Sequence, residues 1–258
     1  MKIFNTIIFS NIWISLGAVG TTLAFYRFFD EKVNYYYLIL VFFATLFAYN
    51  FQYISFQNPN KDRQKQTFWI ENNLNIIKII TFISLLISII LSVFIFTIQV
   101  LSISVPVFLL VVFYKKGSLN KFSLRKIPLA KIVIIAFCWM FSCSIIPGLI
   151  NNEPFSIKIS LLIFLYLIGI TLPFDIRDFH FDNQSILTIP HLIGIKSTYI
   201  LSILILLFLL VINLTNFRLS LFFALSALIM IPSYKLRSEY YYLFVIDGLL
   251  LVFPIFVK

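Results

Sequence analysis

The stretch Leu172–Gly194, LPFDIRDFHFDNQSILTIPHLIG, places three aspartates directly after a long apolar run. The whole chain of 258 residues has only 10 acidic residues, yet Asp175, Asp178 and Asp182 lie within eight positions. Their spacing of i, i+3 and i+7 puts the three carboxylates on one stripe of a helix that continues the apolar run. Like charges so arranged repel, and a hard divalent cation such as Mg²⁺ between them would relieve the repulsion. A solvated loop flanked by Arg177 is the alternative interpretation.

The composition around this stretch is typical of an integral membrane protein. Hydrophobic residues make up 61% of the chain, charged residues 12%, and the mean hydropathy is +1.00. A single soluble core has no room for that much apolar surface. Apolar runs of about 20 residues, the length that crosses a hydrocarbon core about 30 Å thick, recur along the chain. We therefore expect an all-α, polytopic membrane protein.

Polar breaks divide the chain into nine apolar runs, which predict nine transmembrane helices in a single domain covering residues 1–258. The first run, Ile7–Tyr26, is too long for the core of a secretory signal, and further spans follow at once. The other eight predicted spans are Tyr35–Ile54, Ile76–Phe96, Thr97–Tyr114, Leu129–Ile150, Phe155–Pro173, Ser197–Leu214, Leu219–Pro232 and Tyr240–Val257.

The basic residues predict the orientation of these helices. With the N-terminus cytoplasmic and the connections assigned alternately, 15 of the 20 Lys and Arg residues fall on the cytoplasmic side, as the positive-inside rule requires. The three long polar connections, 57–75, 115–128 and 174–196, fall on the same side. We expect a multi-pass protein of a bacterial inner membrane with its chemistry at the cytoplasmic face. The net charge of +10 then belongs to these loops, and no nucleic-acid partner is expected.

The residues from Asp175 to Lys196 resemble the second aspartate-rich signature of the UbiA superfamily of intramembrane prenyltransferases. In that family an Asp-x-x-Asp-x-x-x-Asp run is followed by a basic residue, Thr-Leu/Ile-Pro, Leu-Gly and another base. Here Thr188–Pro190 supply the Thr-Ile-Pro, Gly194 the glycine and Lys196 the final base, whereas Leu187 replaces the first base. The number of spans and the length also match, so the resemblance covers essentially the whole chain.

The family's other signature, Asn-Asp-x-x-Asp-x-x-x-Asp at the end of the second span, is degenerate in this chain. Asn50 matches the leading asparagine, but Phe51, Ile54 and Asn58 stand where the family has carboxylates. Asp62, four residues further on, approaches the same place only if the loop folds back. Half of the acidic groups that the family pattern implies are therefore missing.

The resemblance implies a UbiA-like bundle around a cavity near the cytoplasmic face, with Mg²⁺-dependent prenyl transfer from a prenyl diphosphate to a hydrophobic, often aromatic, acceptor in the membrane. Asp175, Asp178 and Asp182 would hold the metal and act as the catalytic residues, which predicts that Asn50, Asp175 and Asp178 converge on one cavity. The diphosphate would be bound by polar and basic side chains, which are Asn50, Arg63, Lys65, Lys121, Arg125, Lys126 and Lys196. For the basic residues, a role in membrane topology alone is the alternative.

Three further features bear on the expected site. The segment 124–139, LRKIPLAKIVIIAFCW, resembles the family's approach to its fifth helix, with Lys131 at the start of the span. Asp247 lies inside the predicted ninth span, where an ionisable group is either functional or paired near the interface. The 31 Phe, 13 Tyr and 3 Trp residues offer aromatic faces for a carbocation, and none is assigned a catalytic role.

Two other classes of function stay open on the sequence alone. A degenerate family member that binds a prenyl diphosphate or lipid without transferring it is consistent with the loss of the first acidic signature. An unrelated membrane protein, such as a small transporter, would have polar or Gly/Pro-broken spans near the midplane. Only Asp247 and the pair Gly17 and Gly20 point in that direction.

Overall fold

The computed structural model describes residues 2–54, 64–114, 129–151, 156–179 and 188–257, and all regular structure in these ranges is helical. Asp182, Arg63, Lys121, Arg125 and Lys126 therefore lie outside the described residues, as do Asn58 and Asp62. The predictions made for those positions stay predictions.

The helices are labelled in chain order. They are α1 (Lys2–Phe9), α2 (Ile12–Phe29), α3 (Tyr35–Ile54), α4 (Lys65–Asn72), α5 (Leu74–Ile95), α6 (Ile98–Phe113), α7 (Ala130–Ile150), α8 (Ile157–Asp178), α9 (Ile189–Ile193), α10 (Ile195–Ile212), α11 (Phe217–Tyr234) and α12 (Tyr241–Phe256).

Within the described residues, seven helices are long and apolar enough to cross a membrane: α2, α3, α5, α7, α8, α10 and α11. Two further apolar helices, α6 and α12, coincide with the predicted fourth and ninth spans but are shorter. At 1.5 Å per residue, the 16 residues of α6 extend about 24 Å, less than a typical hydrocarbon core. The chain is thus a multi-pass, all-α membrane protein, and the count of nine spans stays a prediction.

The predicted first span, Ile7–Tyr26, is wrong in its bounds, because the helix breaks at Ser10 and Asn11. Asn11 takes a left-handed conformation with φ of 65°, which asparagine tolerates better than most residues. The buried Asn11 side chain donates a hydrogen bond to Asn50 and accepts one from Gln66. These tertiary contacts stabilise the break between α1 and α2.

The connection between α3 and α5 contains a short helix, α4, in a segment for which the sequence predicts only a polar loop. Gln66 and Ile70 are the buried residues of α4. The backbone N–H groups of Lys65 and Gln66 both donate to the carboxylate of Glu239, which precedes α12. Glu239 therefore caps α4 from a distant part of the chain and fixes the position of its first turn.

Two of the helices contain a π-helical turn, at Phe141–Ile145 in α7 and at Tyr241–Ile246 in α12. Such turns free a backbone carbonyl from the helical hydrogen-bond ladder and often lie near functional sites. In α7 the hydroxyl of Tyr37 donates to the carbonyl oxygen of Ser142 at 2.5 Å. The π turn in α7 thus faces α3, and both helices line the cavity described below.

Candidate functional site

Asp175 and Asp178 lie in the last turn of α8 and face the interior of the bundle, as the i, i+3 spacing predicted. Asp175 is 1% exposed, and the side chain of Asp178 is 16% exposed. Carboxylates this deeply buried require cationic or hydrogen-bonding partners, because burial of an unpaired charge is very costly. The alternative of a solvated loop is therefore wrong for these two aspartates.

Lys131, in the first turn of α7, links the two carboxylates. Its Nζ lies 2.6 Å from Asp175 Oδ1 and 3.3 Å from Asp178 Oδ2, and its side chain is 11% exposed. The sequence marked Lys131 only as the start of the fifth span and missed its part in this cluster. The available signal was a basic residue at the membrane edge of an apolar helix, which positive-inside topology explains equally well.

Arg177 and Gln64 complete the hydrogen bonding of Asp178. The Nε of Arg177 donates to Asp178 Oδ1 over 2.8 Å, and the Nε2 of Gln64 donates to the same oxygen over 2.7 Å. The guanidinium of Arg177 also lies 5.2 Å from the ring centroid of Phe174 and 5.3 Å from that of Tyr242, within cation–π range. Among the described residues the cluster thus contains two carboxylates and two cations.

Asn50, which matches the leading asparagine of the first signature, lies in a neutral polar layer beside this cluster. Its Oδ1 accepts from Asn11 Nδ2 at 2.9 Å, and its Nδ2 donates to the carbonyl of Ser10 at 3.0 Å. Gln66 donates to Asn11 Oδ1 at 3.0 Å and accepts from the hydroxyl of Tyr53 at 2.7 Å. The layer consists of amides and a phenol, and Asn50 is fully buried within it.

A cavity of about 570 Å³ lies between α3, α5, α6 and α7, a volume typical of small-molecule sites. Its wall includes Asp178 and Lys131, and elsewhere it is mainly apolar and aromatic, with Tyr49, Tyr53 and Trp139 among the rings. The cavity is therefore mainly apolar, with charged side chains in one part of its wall.

The predicted convergence of Asn50, Asp175 and Asp178 is only partly observed. Asp178 lines the cavity, whereas Asn50 and Asp175 are absent from the part of its wall that the structure describes. Asp175 is held behind Asp178 through Lys131. The residues before and within the first turn of α4 connect Asn50 to the cluster, because Gln64 bonds Asp178 and Gln66 bonds Asn11.

Lys196 and Asp247 do not belong to the part of the cavity wall that the structure describes. Lys196 is exposed in the first turn of α10, and its role in diphosphate binding stays a prediction. Asp247 is 9% exposed within α12, where it interacts electrostatically with Arg177 and with Tyr49. Its placement leaves both earlier interpretations, a functional group or a paired structural one, in place.

The described residues do not form an open site for Mg²⁺. Within the ranges that the structure describes, no three His, Cys, Asp or Glu side chains are close enough together to hold a metal. Asp175 and Asp178 offer the hard oxygen ligands that Mg²⁺ prefers, but the ammonium of Lys131 occupies the position between them. A metal would fit there only after Lys131 had moved away.

No protein-family model and no curated protein matches the chain, whereas two solved structures are similar to it along nearly its whole length. An apo structure of a UbiA homolog from Aeropyrum pernix K1 is 15% identical, covers 97% of this chain and 94% of its own, and has a TM-score of 0.56. A structure of digeranylgeranylglyceryl phosphate synthase is 18% identical, with 99% and 98% covered and a TM-score of 0.51. The chain therefore has the UbiA-like fold, in agreement with the resemblance found in its sequence.

Proposed function

We propose that this protein transfers a prenyl group from a prenyl diphosphate to a hydrophobic, aromatic acceptor within the membrane. The observation that carries the proposal is the joining of a 570 Å³ apolar cavity to a buried cluster of charged side chains at Asp178 and Lys131. A prenyl diphosphate has the same two parts, a long apolar chain and a compact polyanion. The UbiA-like fold supports the proposal independently, since one similar structure is that of a synthase acting in membranes.

In this proposal the diphosphate lies at the charged end of the cavity. When the allylic C–O bond breaks, the bonding electrons leave with the diphosphate and the prenyl group becomes a carbocation. Lys131 in the cavity wall and Arg177 behind Asp178 stabilise the developing negative charge. The rings of Tyr49, Tyr53 and Trp139 exclude water and stabilise the carbocation through their π faces. The acceptor then bonds to the prenyl carbon and releases a proton.

The requirement for Mg²⁺, held by Asp175, Asp178 and Asp182, remains part of the proposal that rests on the sequence resemblance. Mg²⁺ would act as a Lewis acid on the departing diphosphate. Because the described carboxylates are paired with Lys131 and Arg177, the reaction has to be assayed both with Mg²⁺ and with a chelator.

The test is the release of diphosphate from a radiolabelled prenyl diphosphate by the purified protein, with a panel of phenolic acceptors. We expect release by the wild type and at least a roughly 100-fold slower rate for Asp178→Asn, because this change removes a carboxylate that orients Lys131, Arg177 and Gln64. Arg218→Met, which alters an exposed residue of α11, serves as the matched control. Wild-type protein that releases no diphosphate with any acceptor would contradict the proposal.

A second candidate function is binding of a prenyl diphosphate or lipid without transfer. The observation that favours it is the replacement of the first acidic signature by Phe51 and Ile54, beside an amide network with its hydrogen bonds satisfied. Saturable binding of the labelled diphosphate without release of its diphosphate group would support this candidate over the transferase.

A further inference from the structure

Lys131 occupies the place where a divalent ion would bridge the two aspartates of α8. The ammonium lies 2.6 Å from one carboxylate oxygen of Asp175 and 3.3 Å from one of Asp178. Mg²⁺ binds carboxylate oxygens at about 2.0–2.1 Å, so an ion shared by this pair would lie within the space that Nζ fills. The ammonium and the ion exclude each other by volume and by charge.

The hydrogen bonding of Asp178 strengthens this exclusion. Its Oδ1 accepts from both Arg177 and Gln64, and its Oδ2 accepts from Lys131. The two donors occupy both lone pairs of Oδ1, so a metal binding to Asp178 would either displace one of them or compete with Lys131 at Oδ2. Displacement is costly because Lys131 and Arg177 are both largely buried, and a buried cation that loses its partner retains an uncompensated charge.

Both described carboxylates of the cluster already have a cationic partner. Among the described residues, the negative charges of Asp175 and Asp178 are balanced by Lys131 and Arg177. The polar layer next to them, with Asn50, consists of neutral amides and a phenol, and Phe51 and Ile54 stand at two of the positions where the family pattern has acids. A divalent ion approaching Asp175 and Asp178 therefore meets the repulsion of these two cations together with the attraction of the carboxylates.

We propose that Lys131 serves as a built-in cation in place of a divalent ion, so that the protein without substrate does not bind Mg²⁺ at Asp175 and Asp178. This inference rests on the proposed function and concerns the same site: besides facing the diphosphate, Lys131 holds both carboxylates and blocks the metal position. The metal affinity of the pair is therefore set by the side chain at position 131.

The inference is tested with Mn²⁺ as a paramagnetic probe for Mg²⁺, by measuring free Mn²⁺ from its electron paramagnetic resonance signal in the presence of purified protein. Each protein is compared with the same protein carrying Asp175→Asn, and the difference in bound Mn²⁺ is the binding that depends on Asp175. For the wild type we expect this difference to be zero. For Lys131→Met we expect about one Mn²⁺ per chain bound at least roughly tenfold more tightly than by the wild type, since a unit charge a few Å from the ion has been removed. Adding Asp175→Asn to Lys131→Met should abolish that gain.

Lys131→Arg keeps the positive charge and should behave like the wild type, and Arg218→Met controls for the loss of any basic side chain. If Lys131→Met is poorly folded alone, Mn²⁺ should raise its thermal unfolding midpoint while leaving that of the wild type unchanged. Wild-type binding of Mn²⁺ that Asp175→Asn removes would overturn the inference, as would a folded Lys131→Met protein without added affinity. No step of this test requires turnover, so a failed diphosphate-release assay would count against the proposed function alone.

Discussion

Arg177 lies in the last turn of α8, where a basic residue is usually solvated, yet its side chain is buried inside the bundle. Its guanidinium is held by Asp178 on one side and by the rings of Phe174 and Tyr242 on the others. A planar, delocalised cation can make a hydrogen bond in its plane and π contacts on its faces at the same time. Arg177 therefore neutralises Asp178 and also packs against two aromatic rings.

Replacing Arg177 by Met should destabilise the protein more than an ordinary surface change. Loss of one partner from a buried ion pair typically costs about 3–5 kcal/mol, because the other charge stays buried, although Lys131 will offset part of this. We expect a clearly lower thermal unfolding midpoint in detergent, compared with little change for the exposed Arg218→Met. Equal midpoints for the two variants would show that Arg177 is solvated in the protein.

The sequence predicted the carboxylates better than it predicted their partners. Asp175 and Asp178 are spaced i, i+3, and helical geometry alone predicts that residues so spaced lie on one face of a helix. The structure confirms that both carboxylates lie on one face of α8. The pairing with Lys131 joins residues 44 and 47 positions apart, and the bond from Gln64 spans 114 positions. Such contacts depend on how helices pack, and a single sequence without aligned relatives carries no local signal for them.

The first turn of α4 is held in place by one distant carboxylate. Glu239 accepts from the backbone N–H groups of Lys65 and Gln66. The capped turn positions the side chain of Gln64 to bond Asp178 and that of Gln66 to bond Asn11. Loss of the cap should loosen the short helix locally while the membrane-spanning helices stay intact.

In Glu239→Ala we expect the amides of Lys65 and Gln66 to exchange with deuterium about fivefold faster, as for the loss of a cap worth ~1 kcal/mol. Hydrogen–deuterium exchange measured by mass spectrometry on the peptide covering α4 gives the rates. Ser238→Ala, which changes the exposed neighbour, is the control and should exchange like the wild type. Unchanged exchange in Glu239→Ala would mean that α4 is held by other contacts.

Close packing of α2 against α12 depends on a glycine. A Cβ added at Gly20 would lie 2.5 Å from the carbonyl oxygen of Leu250 and 2.6 Å from Cα of Leu251, so the two backbones would have to separate. Small residues allow this kind of approach between membrane helices. The pair Gly17 and Gly20 is thus explained by packing, and neither residue breaks α2.

Gly20→Ala should therefore destabilise the bundle by about 1–3 kcal/mol, the usual cost of overpacking. Gly248→Ala is the matched control in the partner helix, because a Cβ there would meet its nearest neighbour, in the Trp13 ring, at 3.5 Å. The thermal unfolding midpoint of Gly20→Ala should be lowered, whereas that of Gly248→Ala should equal the wild-type value. If Gly248→Ala lowered the midpoint by as much as Gly20→Ala, close approach of the two backbones at Gly20 would not explain the loss of stability.

The long apolar helices were predicted well, and the short elements were not. The bounds of α3 agree with the predicted span Tyr35–Ile54, because both ends are marked by polar residues. The break at Asn11 and the helix α4 were missed. Both are stabilised by side chains from other parts of the chain, Asn50 and Glu239 respectively, and neither interrupts the hydropathy pattern in a recognisable way.

The orientation of the bundle in the membrane stays a prediction from charge. We expect a cysteine replacing Lys196 to react with a membrane-impermeant maleimide only from the cytoplasmic side, and one replacing Arg218 only from the opposite side. The background protein carries Cys138→Ala and Cys143→Ala, because these are the cysteines of the chain. The reverse pattern of labelling would invert the orientation, and labelling of both positions from one side would change the count of spans between them.

The central claim is that the apolar cavity and the charged cluster form one binding site for one amphipathic ligand. Ala48 lines the cavity between Phe47 and Tyr49, and a tryptophan at that position would fill much of the space without adding charge. Lys131 supplies positive charge in the wall of the same cavity. Changes at these two residues therefore address the two halves of the ligand separately.

The decisive measurement is the affinity of the purified protein for geranylgeranyl diphosphate and for inorganic pyrophosphate, in wild type, Ala48→Trp and Lys131→Met, with the exposed Leu225→Trp as control. The account predicts that Ala48→Trp weakens binding of the prenyl diphosphate at least about tenfold, since much of the buried chain is lost, and leaves pyrophosphate binding unchanged. Lys131→Met should weaken both. Prenyl diphosphate affinity that is the same in Ala48→Trp as in Leu225→Trp would contradict the claim.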